Sequence, residues 1–540
     1  MSQYVVGIDF GTDSVRAILV DGHNGQVVKE SVSVYKRWTK GLYSDEKKHQ
    51  FRQHPLDHLE SLKEVLKEVV KGYEKDVVSM SVDATASTPG PIDENGTLLA
   101  LLPEFTDEPD AMFQLWKDHT ASDDAKYVNV AFTQGDVDYT QYMGDYSAEW
   151  YWAKVLHTIR HNRVIKEKAY MWVEHSDWVV NMLCGRTDPS TMTINACGAG
   201  HKAYFHSAFD GLPGRDCLVS LDPYLGDIYD RYPKKVLCAG EVAGTLTKEW
   251  CEELNLSPDV IIGVGAVDAH AGAVGAGIKP RTLVKVVGTS TCDMLIADYV
   301  DPEINTKPYC GIAENSIVPG YLGLEAGQAS FGDTYAWLNH FLTWPLEHFD
   351  IPEDIIDHET KVRLRDYMAS HMLQQLEANI YEDDELIATD WFNGRRYPFM
   401  DDTARATITK LHLGSMPPQV YRALIYATVF GGKRIYDSFV DLGLDIDQVI
   451  CVGGISLKSS YIMQLMADSM NVPIVVSKET QACAKGAAIY AAVAAGLYDN
   501  VSQAQEVLCL KAKPHYFPDA QRHARLDQLY QKYLELSKIQ

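Results

Sequence analysis

Glycine beside hydroxyl residues, set between two apolar strands, brings backbone amides and hydroxyls up to an anion, and the chain carries this arrangement twice. The first copy is VVGIDFGTDSVRAILVD, residues 5–21, with Gly11, Thr12, Asp13 and Ser14 at the turn. The second is LVKVVGTSTCDMLIAD, residues 283–298, with Gly288, Thr289, Ser290 and Thr291 at the turn and Asp298 falling opposite Asp21 without a gap. Glycine permits close approach, while Thr, Ser and the amides that follow donate to phosphate oxygens. Two such turns facing each other would clamp a phosphate chain. Either one alone reads as an ordinary tight hairpin. Their duplication, with Asp9 beside the first, favours the anion site.

Phosphoryl transfer also needs a carboxylate to take a proton from the attacking hydroxyl. Asp268 is the candidate: it ends the apolar run Val260 to Val267 and opens a small-residue helix in GAVDAHAGAVGAG, residues 265–277. Carboxylates at such strand ends face clefts. The competing reading is a helix N-cap whose oxygen satisfies free backbone N–H groups. A third element, residues 449–470, reads as a buried strand, a Gly453-Gly454 turn and an amphipathic helix, and Gly-Gly before a helix admits a flat ring or a phosphate.

These residues need a scaffold of some size. At 540 residues the chain exceeds what one core supports, so two domains are expected, with a cleft between them as the natural place for a site. The two hairpins imply that the domains are similar. A formal net charge of −25 and the lack of any long Lys/Arg run disfavour nucleic acid and anionic membranes as partners. The ten cysteines are scattered with no CxxC pair, which suits a reducing compartment. A strand-like run begins within four residues of Met1, leaving no room for a signal peptide, so a cytoplasmic location is expected. The apolar stretch from Val260 to Ile278 contains Asp268 and His270 and is rich in Gly, which argues against a membrane span.

Hairpin, hairpin and Gly-Gly helix, in this order, resemble the actin, Hsp70 and sugar-kinase ATPase superfamily. The words DFGTDSVRA (9–17), FRQHP (51–55), LWKDHTA (115–121), GHK (200–202), GTSTCD (288–293), GLEAGQ (323–328) and DWFNGRR (390–396) are similar to the FGGY carbohydrate kinases, over nearly the whole chain. The resemblance implies an α/β fold of two duplicated RNase H-like, actin-like ATPase domains, each a mixed sheet flanked by helices, with an interdomain cleft. Residues 1–270 would bind sugar and carry the first phosphate hairpin. Residues 271–540 would carry the second hairpin and the adenosine site.

It further implies transfer from MgATP to the 5-hydroxyl of a ketopentose, L-ribulose leading and D-ribulose also accepted, with Asp268 as base. Lys202, Glu325 and the small loop from Asp83 to Ser87, with Thr85, Ala86 and Ser87, would bind the sugar, with Trp116 and Asp118 walling the pocket. Asp9 is assigned to Mg²⁺, through water, with Gly11, Thr12, Ser14 and Arg16 near the transferred phosphoryl and Gly288, Thr289 and Ser290 opposite. Gly453 and Gly454 would pass beside the α-phosphate or ribose. Glycerol kinase-like members have Thr at the position of Asp13, and a carboxylate there would repel a triphosphate unless Mg²⁺ or Arg16 lay between. A homodimer is a family expectation. Arg395 and Arg396 are left without a role.

Rival readings use the same core. A chaperone would need a further peptide-binding domain, for which little chain follows the Ala-rich run near Lys485 to Gly496. A non-enzymatic sugar sensor would carry a basic DNA-binding extension. A D-ribulose or xylulose kinase differs only in pocket contacts that local words do not fix.

Overall fold

The computed structural model describes residues 3–298, 311–378, 386–397, 400–401, 403–511 and 515–538. One sheet is built from β1 (Tyr4–Phe10), β2 (Ser14–Asp21), β3 (Val27–Val34), β4 (Val77–Ala84), β5 (Val242–Thr245) and β6 (Ile261–Val267), in the order β5-β6-β4-β1-β2-β3. A second comprises β7 (Thr282–Val287), β8 (Thr291–Ala297), β9 (Gly311–Glu314), β10 (Leu322–Ala326), β11 (Gln448–Val452) and β12 (Ile474–Val476), in the order β9-β10-β8-β7-β11-β12. In each sheet the first arm of a Gly-Thr hairpin pairs in parallel with a later strand: β1 with β4, and β7 with β11. The repeat seen in the sequence is a repeat of topology.

Seven helices matter for the site: α1 (Pro55–Val70), α2 (Tyr151–His161), α3 (Ala196–Ala203), α4 (Asp268–Gly275), α5 (Gly332–His348), α6 (Gly454–Lys458) and α7 (Ala482–Ala494). The chain forms two compact units, each discontinuous in sequence. The first takes Met1–Pro280, Met294–Glu325 and Glu479–Lys511, and the second takes Arg281–Asp293, Ala326–Lys478 and Ala512–Gln540. Among the described residues no helix is long and apolar enough to cross a membrane.

In the first unit, β1 is buried from Val5 to Phe10, so its apolar run lacks the alternation of a half-exposed strand. Side chains of a strand point alternately to opposite faces. On one face Phe10 packs against His58 of α1, ring centroids 5.9 Å apart. Helix α1 starts at Pro55 after His54, whose Nδ1 accepts the Leu56 N–H, and presents the stripe Leu62, Val65, Leu66 and Val69. On the other face Gly7 lies against α7, where a β-carbon would fall 1.8 Å from the Ala484 carbonyl oxygen. Asp9 shares this second face with Gly7.

Helices α4 and α7 touch backbone to backbone. A β-carbon on Gly275 would sit 2.0 Å from the Ala482 oxygen, and one on Gly486 would sit 1.8 Å from the Ala271 oxygen. The small-residue composition of both helices is what lets them come this close, and their contact fixes where Asp268, at the head of α4, stands. Gly486→Ala is expected to force the pair apart and lower stability by about 1–3 kcal/mol, seen as a lower urea midpoint for unfolding.

Candidate active site

Strand register sets Asp9 opposite Arg16 on β2 and opposite Asp83 on β4. Arg16 Nη1 lies 3.1 Å from Asp9 Oδ2. Asp83 is fully buried and neither of its oxygens meets a hydrogen-bond donor among the described residues. Oxygens of Asp9 and Asp83 and the sulfur of Cys483, at the head of α7, all lie within 4.8 Å of one another. Burial raises both carboxyl pKa values. At Asp9 the Arg16 charge opposes the rise, whereas at Asp83 the negative charges of Asp9 and Asp268 add to it.

Asp268 follows β6 directly and is the first residue of α4. Val267 holds the N-cap place and makes no side-chain capping bond, so Asp268 is not the N-cap residue, although one of its oxygens does serve a first-turn N–H. Asp268 Oδ1 accepts the N–H of Ala269 at 2.7 Å. Burial, then the Asp9 charge, pushes its pKa up to about 6, with the Ala269 N–H and the charges of His270 and Lys202 pulling back. A carboxylate poised there can take a proton near neutral pH.

Lys202, on α3, and Glu325, on β10, form a pair with Nζ 3.6 Å from Oε1. The Lys202 ammonium also stands 5.6 Å from the centre of the Trp150 ring. Burial would raise the Glu325 pKa, but the cations Lys202 and His270 hold it well below the usual carboxylate range. Lys202, Glu325 and Asp268 are thus neighbours in one unit, although 123 positions separate the first two in the sequence.

Other expected contacts are committed within the protein. Asp118 is fully buried and accepts from the Phe51 N–H at 2.7 Å, from Thr120, and from the Arg52 guanidinium, so its oxygens order a loop and offer no free lone pair to a sugar. The Thr85 hydroxyl meets that of Thr88 at 3.1 Å, and the Ser87 hydroxyl donates to Glu174. Between them Ala86 is half-buried, and a cis peptide joins it to Ser87. The backbone at half-buried Ala86 stays compatible with the expected sugar contact, while the flanking hydroxyls of Thr85 and Ser87 are engaged within the protein. Lys154 of α2 clamps the same loop, donating to the Ser87 oxygen at 2.7 Å and the Leu115 oxygen at 2.8 Å.

At the first turn Gly11 N–H donates to the Ser14 oxygen at 3.0 Å, and the Trp116 indole donates to the Thr12 hydroxyl at 3.1 Å. Trp116 thus braces the turn. Asp13 is exposed and accepts the Trp38 indole N–H at 2.6 Å, while Arg16 is engaged by Asp9. The neutral Trp38 indole, not Arg16, is the group that meets Asp13.

In the second unit Gly288 N–H donates to the Ser290 oxygen at 3.0 Å, a tighter closure than the Gly11–Ser14 bond, because it spans two positions instead of three. The Thr289 oxygen accepts from Phe331 N–H at 2.7 Å, tying the turn to the head of α5. Gly453 has φ +110°, and a β-carbon there would fall 2.6 Å from the Val287 oxygen. The Gly-Gly turn therefore lies against the end of β7, next to Gly288. A β-carbon on Gly454, which opens α6, would meet nothing within 4 Å, so that backbone is open to a ligand. Arg395 stacks on Trp391, its guanidinium 4.9 Å from the ring centre.

The donor set beside the first turn suits a hard divalent cation: two carboxylates, one of them with both oxygens unpartnered, brought together by strand register. Sequence reasoning named Asp83 only as the start of a loop, and passed over His270 and Cys197. His270 was within reach, since it stands two positions from Asp268; Cys197 carried no signal at all.

Residues 283–495 match the C-terminal domain of the FGGY family of carbohydrate kinases. A ribulokinase of Vibrio parahaemolyticus is 41% identical over 99% of the chain and 96% of its own length. Another, from Geobacillus thermodenitrificans, is 33% identical over 99% and 94%. Among solved structures, a gluconate kinase from Lactobacillus acidophilus superposes with a TM-score of 0.80 at 19% identity, covering 100% of this chain and 98% of that one. The chain belongs to the FGGY family of carbohydrate kinases. Within that family, its likeness along the full length is to ribulokinases.

With Asp268 ionising near pH 6, the base form is lost as pH falls through that value. The acceptor kcat/KM is expected to decline below about pH 6 with a slope of one, read from a pH–rate profile.

Proposed function

We propose that this chain is a ribulokinase, moving the γ-phosphoryl group of ATP to the 5-hydroxyl of L-ribulose, and of D-ribulose as a second substrate, to yield ribulose 5-phosphate and ADP in the breakdown of L-arabinose in the cytoplasm. The observation that carries the reading is Asp268: a buried carboxylate at the head of α4 with a pKa of about 6, within the field of both Asp9 and Lys202. Full-length likeness to ribulokinases supports the choice of acceptor.

On this reading the acceptor is held by Lys202 and Glu325, with backbone at Ala86 closing one side. Asp268 takes the proton of the 5-hydroxyl as the sugar 5-oxygen bonds to the γ-phosphorus, and the bond from that phosphorus to the β–γ bridging oxygen breaks to release ADP. Arg16, with the amides and hydroxyls at Gly11, Thr12 and Ser14, neutralises charge on the transferred group. Asp9 and Asp83 would hold Mg²⁺, which when bound supplies charge neutralisation of the phosphates. Gly288, Thr289 and Ser290, with Gly453 and Gly454, hold the nucleotide. The division of labour is part of the proposal: residues 1–270 for sugar, 271–540 for adenosine, with Glu325 as a contribution to the sugar side from the second stretch.

A coupled assay of ADP release with L-ribulose, D-ribulose, xylulose, L-arabinose and glycerol tests the acceptor. L-Ribulose is expected to give the highest kcat/KM, and a preference for glycerol or xylulose would overturn the assignment. Asp268→Asn is expected to lower kcat by about 10²- to 10⁴-fold while ATP affinity stays near that of the parent. Near-normal turnover in this variant would remove Asp268 from the chemistry.

A further inference from the structure

Behind Glu325 lies a buried chain of polar groups that the reaction as described does not use. His270, one residue past Ala269 on α4, is fully buried. Its Nδ1 is 2.8 Å from Cys197 Sγ on α3, and its Nε2 is 2.8 Å from Glu325 Oε2 on β10. The second contact is an ion pair rather than an in-line hydrogen bond, since Nε2 has no partner in hydrogen-bonding geometry. The other Glu325 oxygen faces Lys202.

We propose that His270 is a positioning residue for the sugar acceptor: braced by Cys197, it fixes the Glu325 carboxylate in its ionised form and turns the oxygen beside Lys202 toward the substrate hydroxyls. The inference rests on the reading of Lys202 and Glu325 as acceptor contacts.

Geometry supplies the reason. A lone carboxylate on a strand end could swing about its side-chain torsions, and a buried one would be driven to protonate. One oxygen pinned against an imidazole removes the first freedom, and a positive imidazolium removes the second. The groups around the pair agree with a charged His270. Burial opposes its protonated form, but Cys197 and then Glu325 favour it, and its pKa rises to about 10. His201, whose ring centre is 4.7 Å from that of His270, is kept neutral by burial and by the positive charge of His270, and its Nε2 meets the Ser316 hydroxyl at 3.0 Å. Lys202 stands on the far side of Glu325, and Asp268 faces the same region from the head of α4. One short helix thus sets two side chains: Asp268 for the proton, His270 for the carboxylate that grips the sugar.

The test compares the full-length enzyme with His270→Ala and His270→Gln. The KM for L-ribulose is expected to rise about 10- to 100-fold in His270→Ala, with the KM for ATP within about twofold of the parent. His270→Gln, which keeps a donor but no charge, is expected to fall between the two. The pH profile separates positioning from a general loss of structure. Without the imidazolium, burial lifts the Glu325 pKa, so a second proton must leave before sugar binds, and the acid limb of kcat/KM for L-ribulose is expected to steepen from a slope of one toward two. A sugar KM within about twofold of the parent in both variants, or a parallel rise in the ATP KM with an unchanged acid limb, overturns the proposal. Should His270→Ala fail to fold, His270→Gln carries the same comparison. A parent enzyme with no L-ribulose-dependent ADP release would instead defeat the acceptor assignment itself.

Discussion

Two carboxylates held side by side by strand register, with one guanidinium against them, set the terms for the rest of the first unit. Asp9 and Asp83 are cross-strand neighbours on β1 and β4, so their proximity follows from backbone pairing and cannot relax by a rotamer change alone. Of the two, Asp9 is the one that Arg16 pairs with among the described residues. Burying such a pair costs free energy, and the cost appears as raised pKa values and as oxygens without donors. A region that keeps this arrangement is suited to gain something when a cation and a phosphate chain enter. Asp268 feels the same negative field, which contributes, after burial, to its pKa of about 6.

The second requirement is that Asp268 be brought to that field, and glycine does this. Gly275 and Gly486 let α4 and α7 meet at backbone distance, while Gly7 seats α7 on β1. Cys483, at the head of α7, then lies beside Asp9 and Asp83, and Asp268 opens α4 at the end of β6. With side chains in these places the helices would stand farther off and the three carboxylates would disperse. Fold and site are therefore coupled through the absence of side chains as much as through their presence.

Around this core the structure spends polar groups on order. Arg52 with Asp118, Glu174 with Ser87, and Lys154 with two carbonyls fix the loops that flank the first turn. Buried hydrogen bonds to charged groups are strong and directional, so they hold backbone such as that at Ala86 where a ligand could meet it. Lys285 and Asp293 do the same for the hairpin of the second unit, fully buried and 2.6 Å apart.

What the sequence determined by itself was the repeated device and its chemistry. Strand, Gly-Thr turn and strand are local patterns, governed by side-chain size and backbone freedom within a few residues, and both copies fold as hairpins whose glycine N–H closes the turn. The apolar run before Asp268 likewise announces a buried strand that hands over to a helix. Tertiary structure alone decided which polar side chains remain free. Asp118, Thr85 and Ser87 look like sugar contacts as letters, yet Arg52, Thr88 and Glu174 take their hydrogen bonds. Asp83 appeared as a loop residue, and became the partner of Asp9 only when β4 paired with β1. His270 and Glu325, 55 positions apart, meet because α4 and β10 lie in one unit. Partner choice for a polar group depends on distance in space, and a linear pattern encodes that distance only within single turns and hairpins.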